Sequence, residues 1–299
     1  MGYRPNPLAR GLRGAPTMLL GLIVRDIIDP LDAAVIQAAS VEAGRHEYNV
    51  MLGHVRERAD EGVELWRILE SRHCDAIIFL GDLLERPDFA AEIRDANVPA
   101  VAIWHWTRSR TIPTVNVDNH AGITAALDHL MALDHQRIAF MGDRRISETA
   151  QREDAYRAYV AGAGARLDPD YIEHPVQDPG GVDDALGRLL GLGETPTAIV
   201  CSTDTVANSV LQATQRRRLR VPEDISIVGF DDSLVATLSA PPLTTVRQPV
   251  DEMMRTAVDI LFKKLQGAEI PDDQLHPVIE PSLVIRGSTG PAPESRTGT

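Results

Sequence analysis

From residue 17 onward the chain alternates short apolar runs with amphipathic stretches of helical length. That alternation builds a parallel sheet covered by helices on both faces. The runs MLLGLIV (18–24), YNVMLG (48–53), DAIIFL (75–80), VPAVAI (98–103), PTVNV (113–117), RIAFMG (137–142), TAIVCS (197–202) and ISIVGF (225–230) predict strands. Most lack polar alternation, as strands buried on both faces do. After Asn119, the residues Ile123, Leu127, Leu130 and Met131 fall on one side of a helix that Asn119 is placed to cap. From Val250 a broad stripe of Val250, Met253, Met254, Ala257, Val258, Leu261, Phe262 and Leu265 predicts a core-facing helix ending before Gly267. The stretch GSTGPAPESRTGT from Gly287 is small, polar and proline-punctuated, so it is expected to leave the fold and end in a disordered tail over 291–299. No internal repeat is visible.

A doubly wound sheet binds ligands at the carboxyl ends of its strands, where loops converge. The residues at those ends are Arg25 and Asp26, Gly81 and Asp82, Trp104 to Trp106, Asp118, Asp143 to Arg145, Thr203 and Asp204, and Asp231 and Asp232. Carboxylates accept paired hydrogen bonds from vicinal hydroxyls, and indole faces stack on the C–H side of a sugar ring, so the set suits a polyhydroxylated ligand. Any single acid could equally cap the helix that follows it; the convergence carries the argument. His105, between the two tryptophans, is read either as a site neighbour or as a packing residue.

Composition narrows the function classes. At 299 residues with 43% hydrophobic content, the chain can form two lobes, each with a core. A formal net charge of -13 argues against the bulk of it being a nucleic-acid surface. Positive charge is local: Arg4, Arg10 and Arg13 make the amino terminus a small basic arm. No apolar run is long enough to span a bilayer and the first fifteen residues hold no hydrophobic signal core, so a cytoplasmic location without membrane contact is expected. Cys74 and Cys201 lie far apart beside apolar runs and are read as reduced, buried thiols.

Enzyme readings find little support. The sequence has no GxxxxGK[ST] loop, no GxGxxG between strand and helix, no GxSxG elbow and no HExxH pair. The 9 histidines show no ligand spacing, so no metal and no cofactor are expected.

The segment VPEDISIVGFDDSLVATLSAPPLTTVRQP, residues 221–249, resembles the most characteristic stretch of the lactose-repressor (LacI/GalR) family. Further matches keep the family's order: VDNHAGITAALDHLMALDHQRIAFMGD (117–143), REDAYRAYV (152–160) and PSLVIRGST (281–289). The resemblance implies an α/β fold of two doubly wound parallel-sheet lobes, periplasmic-binding-protein-like (type I), with crossovers near residues 135, 246 and 279. Residues 17–135 with 247–278 would then form the amino-terminal lobe and 136–246 with 279–290 the carboxyl-terminal lobe. It also implies a cleft that binds a small sugar-like effector, a homodimer, and allosteric control of operator DNA binding by the full-length protein. A solute-binding protein, which shares the fold, is the alternative.

By the same resemblance Arg152 matches the family's cleft arginine, Asp231 its cleft aspartate, and Thr203 with Asp204 its strand-end polar pair. Asp26 follows the first strand as in the family, whereas Leu31 and Asp32 stand where aromatic residues are common. Trp104 and Trp106 are read as a replacement stacking platform or as packing residues. GYRPNPLARGLR (2–13) is similar to the family's hinge segment, with Asn6, Ala9, Arg10 and Leu12 as its DNA-contacting residues and Leu12 as the minor-groove wedge. Residues 1–16 are thus expected to be the remnant of a DNA-binding region whose helix-turn-helix headpiece is missing, through a misplaced start or a cut at the hinge.

Overall fold

The computed structural model describes residues 16–55, 61–71, 74–81, 87–96, 98–106, 112–162, 171–175 and 179–293. The chain first forms β1 (Leu19–Val24), α1 (Pro30–Arg45), β2 (Asn49–His54), α2 (Glu61–Ser71), β3 (Ala76–Leu80), α3 (Pro87–Asp95), β4 (Ala100–Ile103) and β5 (Thr114–Val117). It continues with α4 (Asn119–Ala132), β6 (Ile138–Met141), α5 (Ser147–Gly162), β7 (Ile172–Glu173), α6 (Pro179–Leu190), β8 (Ala198–Cys201), α7 (Asp204–Arg216), β9 (Ser226–Asp231), α8 (Leu234–Leu238) and β10 (Thr244–Arg247). It closes with α9 (Val250–Leu265), α10 (Asp272–Leu275), β11 (Val278–Ile279) and β12 (Ser282–Val284). The first unit takes the described chain up to Val117 and Val250–Ile279; the second takes Asp118–Pro249 and the chain from Glu280.

The first unit's six-stranded sheet runs β11-β5-β4-β3-β1-β2, with every neighbour parallel. Apolar side chains of its inner strands alternate between two cores. Leu20, Leu22 and Val24 of β1 and Ile78 and Leu80 of β3 pack with α1 and α9, through Val35, Met254, Val258 and Leu261. Ile23, Ile77 and Phe79 point the other way, into Trp66 of α2 and Phe89 of α3. That two-sided burial is why these strands read as unbroken apolar runs. Each such side chain removed from water contributes about 1.5–3 kcal/mol.

The second unit repeats the plan in the order β12-β10-β9-β8-β6-β7, parallel except for the antiparallel β10–β12 pair. Ile199, Cys201 and Ile227 pack beneath α6, α7 and α8, with Leu186, Val210 and Ala236. Val200, Val228 and Phe230 face α4 and α5, with Ile123, Leu127, Leu130 and Tyr156. Gly122 of α4 sits so close to the sheet that a Cβ there would come within 2.9 Å of Phe230 and of Val246. Cys74 and Cys201 are both buried and unbridged.

Three features differ from the sequence reading. The first passage between units falls at Val117–Asp118 rather than near residue 135, because the apolar face of α4 belongs to the second unit's core. Asp118, not Asn119, caps α4, accepting from the Ala121 backbone N–H at 2.8 Å. And the chain stays in the fold past Gly287. Ser288 is fully buried, its Oγ donating to the Ile227 carbonyl at 2.6 Å and accepting from Thr244 N at 2.8 Å, and Ala292 N donates to the Leu133 carbonyl at 2.8 Å. Residues 294–299, within the expected tail, lie outside the described residues. Among those residues no helix is long and apolar enough to cross a membrane.

Candidate functional site

In the second unit, the carboxyl ends of β6, β8, β9 and β10 bring Asp143, Ser202, Asp231 and Gln248 to one end of the sheet, where α4 and α7 begin. Arg152 reaches this end from the sheet-facing side of α5. It is 3% exposed. A guanidinium so buried must have its charge and its N–H groups matched. Nε donates to Asn119 Oδ1 at 2.8 Å, Nη1 donates to the Ser202 carbonyl at 2.5 Å, and Nη1 lies 3.5 Å from Asp231 Oδ1. The guanidinium carbon sits 3.6 Å from the centroid of the Phe230 ring, so cation–π attraction adds to the fit.

Asp231 is the last residue of β9, and its carboxylate also accepts from Gln248 Nε2 at 2.8 Å. Its backbone φ of 120° and the 55° of Asp232 lie in the left-handed region, where non-glycine residues are strained and persist only under external restraint. Asp232 turns away from Arg152 and pairs with Arg247 Nε at 2.6 Å and Arg286 Nη2 at 2.5 Å. At the β6 end, Arg145 grips both Asp143 oxygens, and these hydrogen bonds hold the Asp143 carboxyl below its ordinary range.

The expected polar pair Thr203 and Asp204 is engaged within the protein. Thr203 is the N-cap of α7, its hydroxyl accepting from Val206 N at 3.2 Å. Asp204 has no exposure, and its carboxylate accepts from Thr245 Oγ1 at 2.6 Å and Ser233 N at 2.7 Å. Burial pushes its pKa up to about 6 against the opposing pull of those hydrogen bonds.

Asp26, Trp104 and Trp106 belong to the first unit. Asp26 is exposed, and its Oδ1 accepts from Ile28 N at 2.8 Å while its own backbone N–H donates to Asp32 Oδ2 at 3.0 Å. Asp32 is buried, which raises its pKa against the counter-pull of Arg25. The Trp104 indole is packed into that unit's core, with the Arg25 guanidinium 5.7 Å from its ring centroid. Only Trp106 shows an indole to solvent, at 39% exposure. His105 is buried, its carbonyl accepting from Asn116 Nδ2 at 3.0 Å. The hinge residues Asn6, Ala9, Arg10 and Leu12 lie outside the described residues.

Arg152 and Asp231 are thus brought together, with Asn119, Gln248 and Phe230 as partners that sequence reading missed. One signal was available for Asn119: it stands directly after Asp118, and only one of two adjacent residues can cap the helix. Chemically, the assembly presents a fixed guanidinium beside a carboxylate, a donor and an acceptor at adjacent positions, which suits hydroxyl recognition. Among the described residues, no group of three or more metal-ligating side chains could hold an ion.

The profile of the family described as periplasmic binding protein-like domain matches residues 127–289, more than half of the chain. The sequence is 29% identical over 296 residues to the HTH-type transcriptional repressor CytR of Escherichia coli (strain K12), covering 98% of this chain and 85% of that one. Among solved structures, a LacI transcriptional regulator from a Rhodococcus species superposes with a TM-score of 0.82 at 29% identity, covering 92% of this chain and 100% of that one. The complex of the transcriptional regulator CelR with cellobiose gives a TM-score of 0.80 at 25% identity, covering 94% and 88% of the two chains. The two doubly wound units therefore have the periplasmic-binding-protein-like fold.

Proposed function

Because the chain belongs to the lactose-repressor family, we propose that it is a ligand-responsive transcriptional repressor in which Arg152 and Asp231 hold a small sugar-like effector. The reading is carried by one observation, the buried Arg152–Asp231 pair at the sheet's carboxyl end. A fixed carboxylate beside a fixed guanidinium lets one ligand hydroxyl donate to Asp231 and accept from Arg152 at once. A structural relative complexed with cellobiose supports a sugar as the ligand class. Binding, not catalysis, is the proposed activity, and the named relatives are transcriptional regulators rather than solute-binding proteins.

The effector acts by its differential affinity for two arrangements of a homodimer, and the favoured arrangement determines whether the full-length protein holds operator DNA. An effector with equal affinity for both would shift nothing. A thermal-shift screen of mono- and disaccharides and of nucleobases on the purified chain tests the site. A ligand that binds only the native state adds about 2.7 kcal/mol at a hundredfold excess over its Kd. At least one sugar is expected to raise the melting temperature, and Asp231→Asn is expected to remove most of that shift. Stabilisation that survives both Asp231→Asn and Arg152→Lys refutes the assignment, and stabilisation by nucleobases alone replaces the ligand class.

A further inference from the structure

The turn that carries Asp231 is held from behind. Asp231 and Asp232 both sit at positive φ, a conformation that an unrestrained chain would leave. The backbone amides of Asp232 and Ser233 lead to one buried carboxylate, one directly and one through a hydroxyl. Ser233 N donates directly to Asp204 Oδ2 at 2.7 Å; Asp232 N donates at 3.4 Å to Thr245 Oγ1, whose hydroxyl donates to Asp204 Oδ1 at 2.6 Å. Room for the carboxylate is made by Gly229 on β9, where any Cβ would collide with Asp204 Oδ1. The side chains of the turn are tied independently, Asp231 by Gln248 and Asp232 by Arg247 and Arg286.

We propose that Asp204 is a positioning residue for the effector site: with Thr245 as its relay, it clamps the strained Asp231–Ser233 turn and so fixes the Asp231 carboxylate beside Arg152. The inference rests on the reading of Asp231 as an effector ligand, but its own content is local and concerns the ligand-free protein. Asp204 touches no effector. The rival explanation is an ordinary acid in the first turn of α7, favourable to the helix dipole and indifferent to the turn.

Amide hydrogen exchange on the ligand-free full chain separates these, and its result does not depend on whether any sugar binds. Asp204→Ala and Thr245→Val are expected to speed exchange at Asp232 and Ser233 by about tenfold or more, the loss of one buried hydrogen bond. Core amides of β6 and β8 should change far less. Asp204→Asn keeps an acceptor for Ser233 N and a donor toward Thr245, and Thr245→Ser keeps the relay hydroxyl, so both are expected to retain the wild-type turn protection. Turn amides in Asp204→Ala as protected as in the wild type overturn the proposal, as does loosening spread equally over β6 and β8. If Asp204→Ala fails to fold, the Thr245→Val and Thr245→Ser pair decides by the same two criteria.

Discussion

Replacing Asp204 by asparagine should stabilise the second unit at neutral pH, and the size of the gain follows from burial. The carboxyl has no solvent exposure, its pKa stands at about 6 against 3.8 for an ordinary solvated aspartate, and desolvation is the largest cause. An acid whose native pKa is raised binds its proton more tightly when folded, so its stabilising contribution is present at low pH and is lost as pH rises. The loss begins near 3.8, where the unfolded chain ionises first, and is complete above about 6, where the native carboxyl follows. The full span is about 3 kcal/mol, and about 2 kcal/mol of it falls between pH 4.5 and 7.5.

Asparagine never ionises, so the stability difference between Asp204→Asn and wild type should widen by about 2 kcal/mol over that interval. Groups remote from Asp204 titrate alike in both proteins and cancel in the difference. Urea unfolding followed by far-UV circular dichroism measures it, and tryptophan fluorescence separates the transitions, because Trp66, Trp104 and Trp106 all lie in the first unit. Parallel pH profiles for the two proteins would refute the reasoning. So would a gain that appears at pH 4.5 and vanishes at 7.5.

Gly229→Ala forces a methyl group onto the Asp204 carboxylate and is expected to cost about 1–3 kcal/mol by urea unfolding, a cost that should largely disappear in an Asp204→Ala background if that collision is its cause. Ser288→Ala removes the acceptor of the buried Thr244 N–H and should cost about 1–3 kcal/mol; a loss below about 0.5 kcal/mol would mean that residues past Gly287 do not anchor the sheet. Burial lowers the pKa of His135, whose ring meets Thr197, Ser226 and the Gly290 carbonyl. The neutral ring's contribution is therefore complete above 6.5 and is lost as pH falls, when the unfolded chain takes up the proton first. NMR titration should find His135 below 6.5, and a midpoint above it would falsify the assignment.

The apolar strands and the α9 stripe were legible in the sequence because each states its burial in a local pattern. β10 was not. Its residues Thr244, Thr245 and Val246 are all fully buried, but two of the three are hydroxyl side chains that read as a loop. Their polarity is used: Thr244 Oγ1 meets Thr289 Oγ1 at 2.9 Å and accepts from Arg286 N at 3.0 Å, while Thr245 serves Asp204. Missing β10 hid Gln248, which follows it. The edge strands β7, β11 and β12, of two or three residues, are too short to carry any periodicity.

The carboxylates illustrate a second limit. Asp204, Asp231 and Asp232 all follow apolar strands, and nothing in their neighbours ranks them. Their partners rank them, and those partners are remote: Thr245 lies 41 positions from Asp204, and Arg286 lies 54 from Asp232. A ligand can reach a carboxylate only if some of its surface remains open without unfolding the turn that carries it. Asp204 has none, and Asp232 is committed to two arginines. Asp231 keeps 8% exposure, is aimed at a guanidinium and stands on a strained backbone. Strain of that kind relaxes unless something pulls on both sides of it, so Asp231, the acid proposed to meet the ligand, should depend on Asp204, the acid sealed behind it.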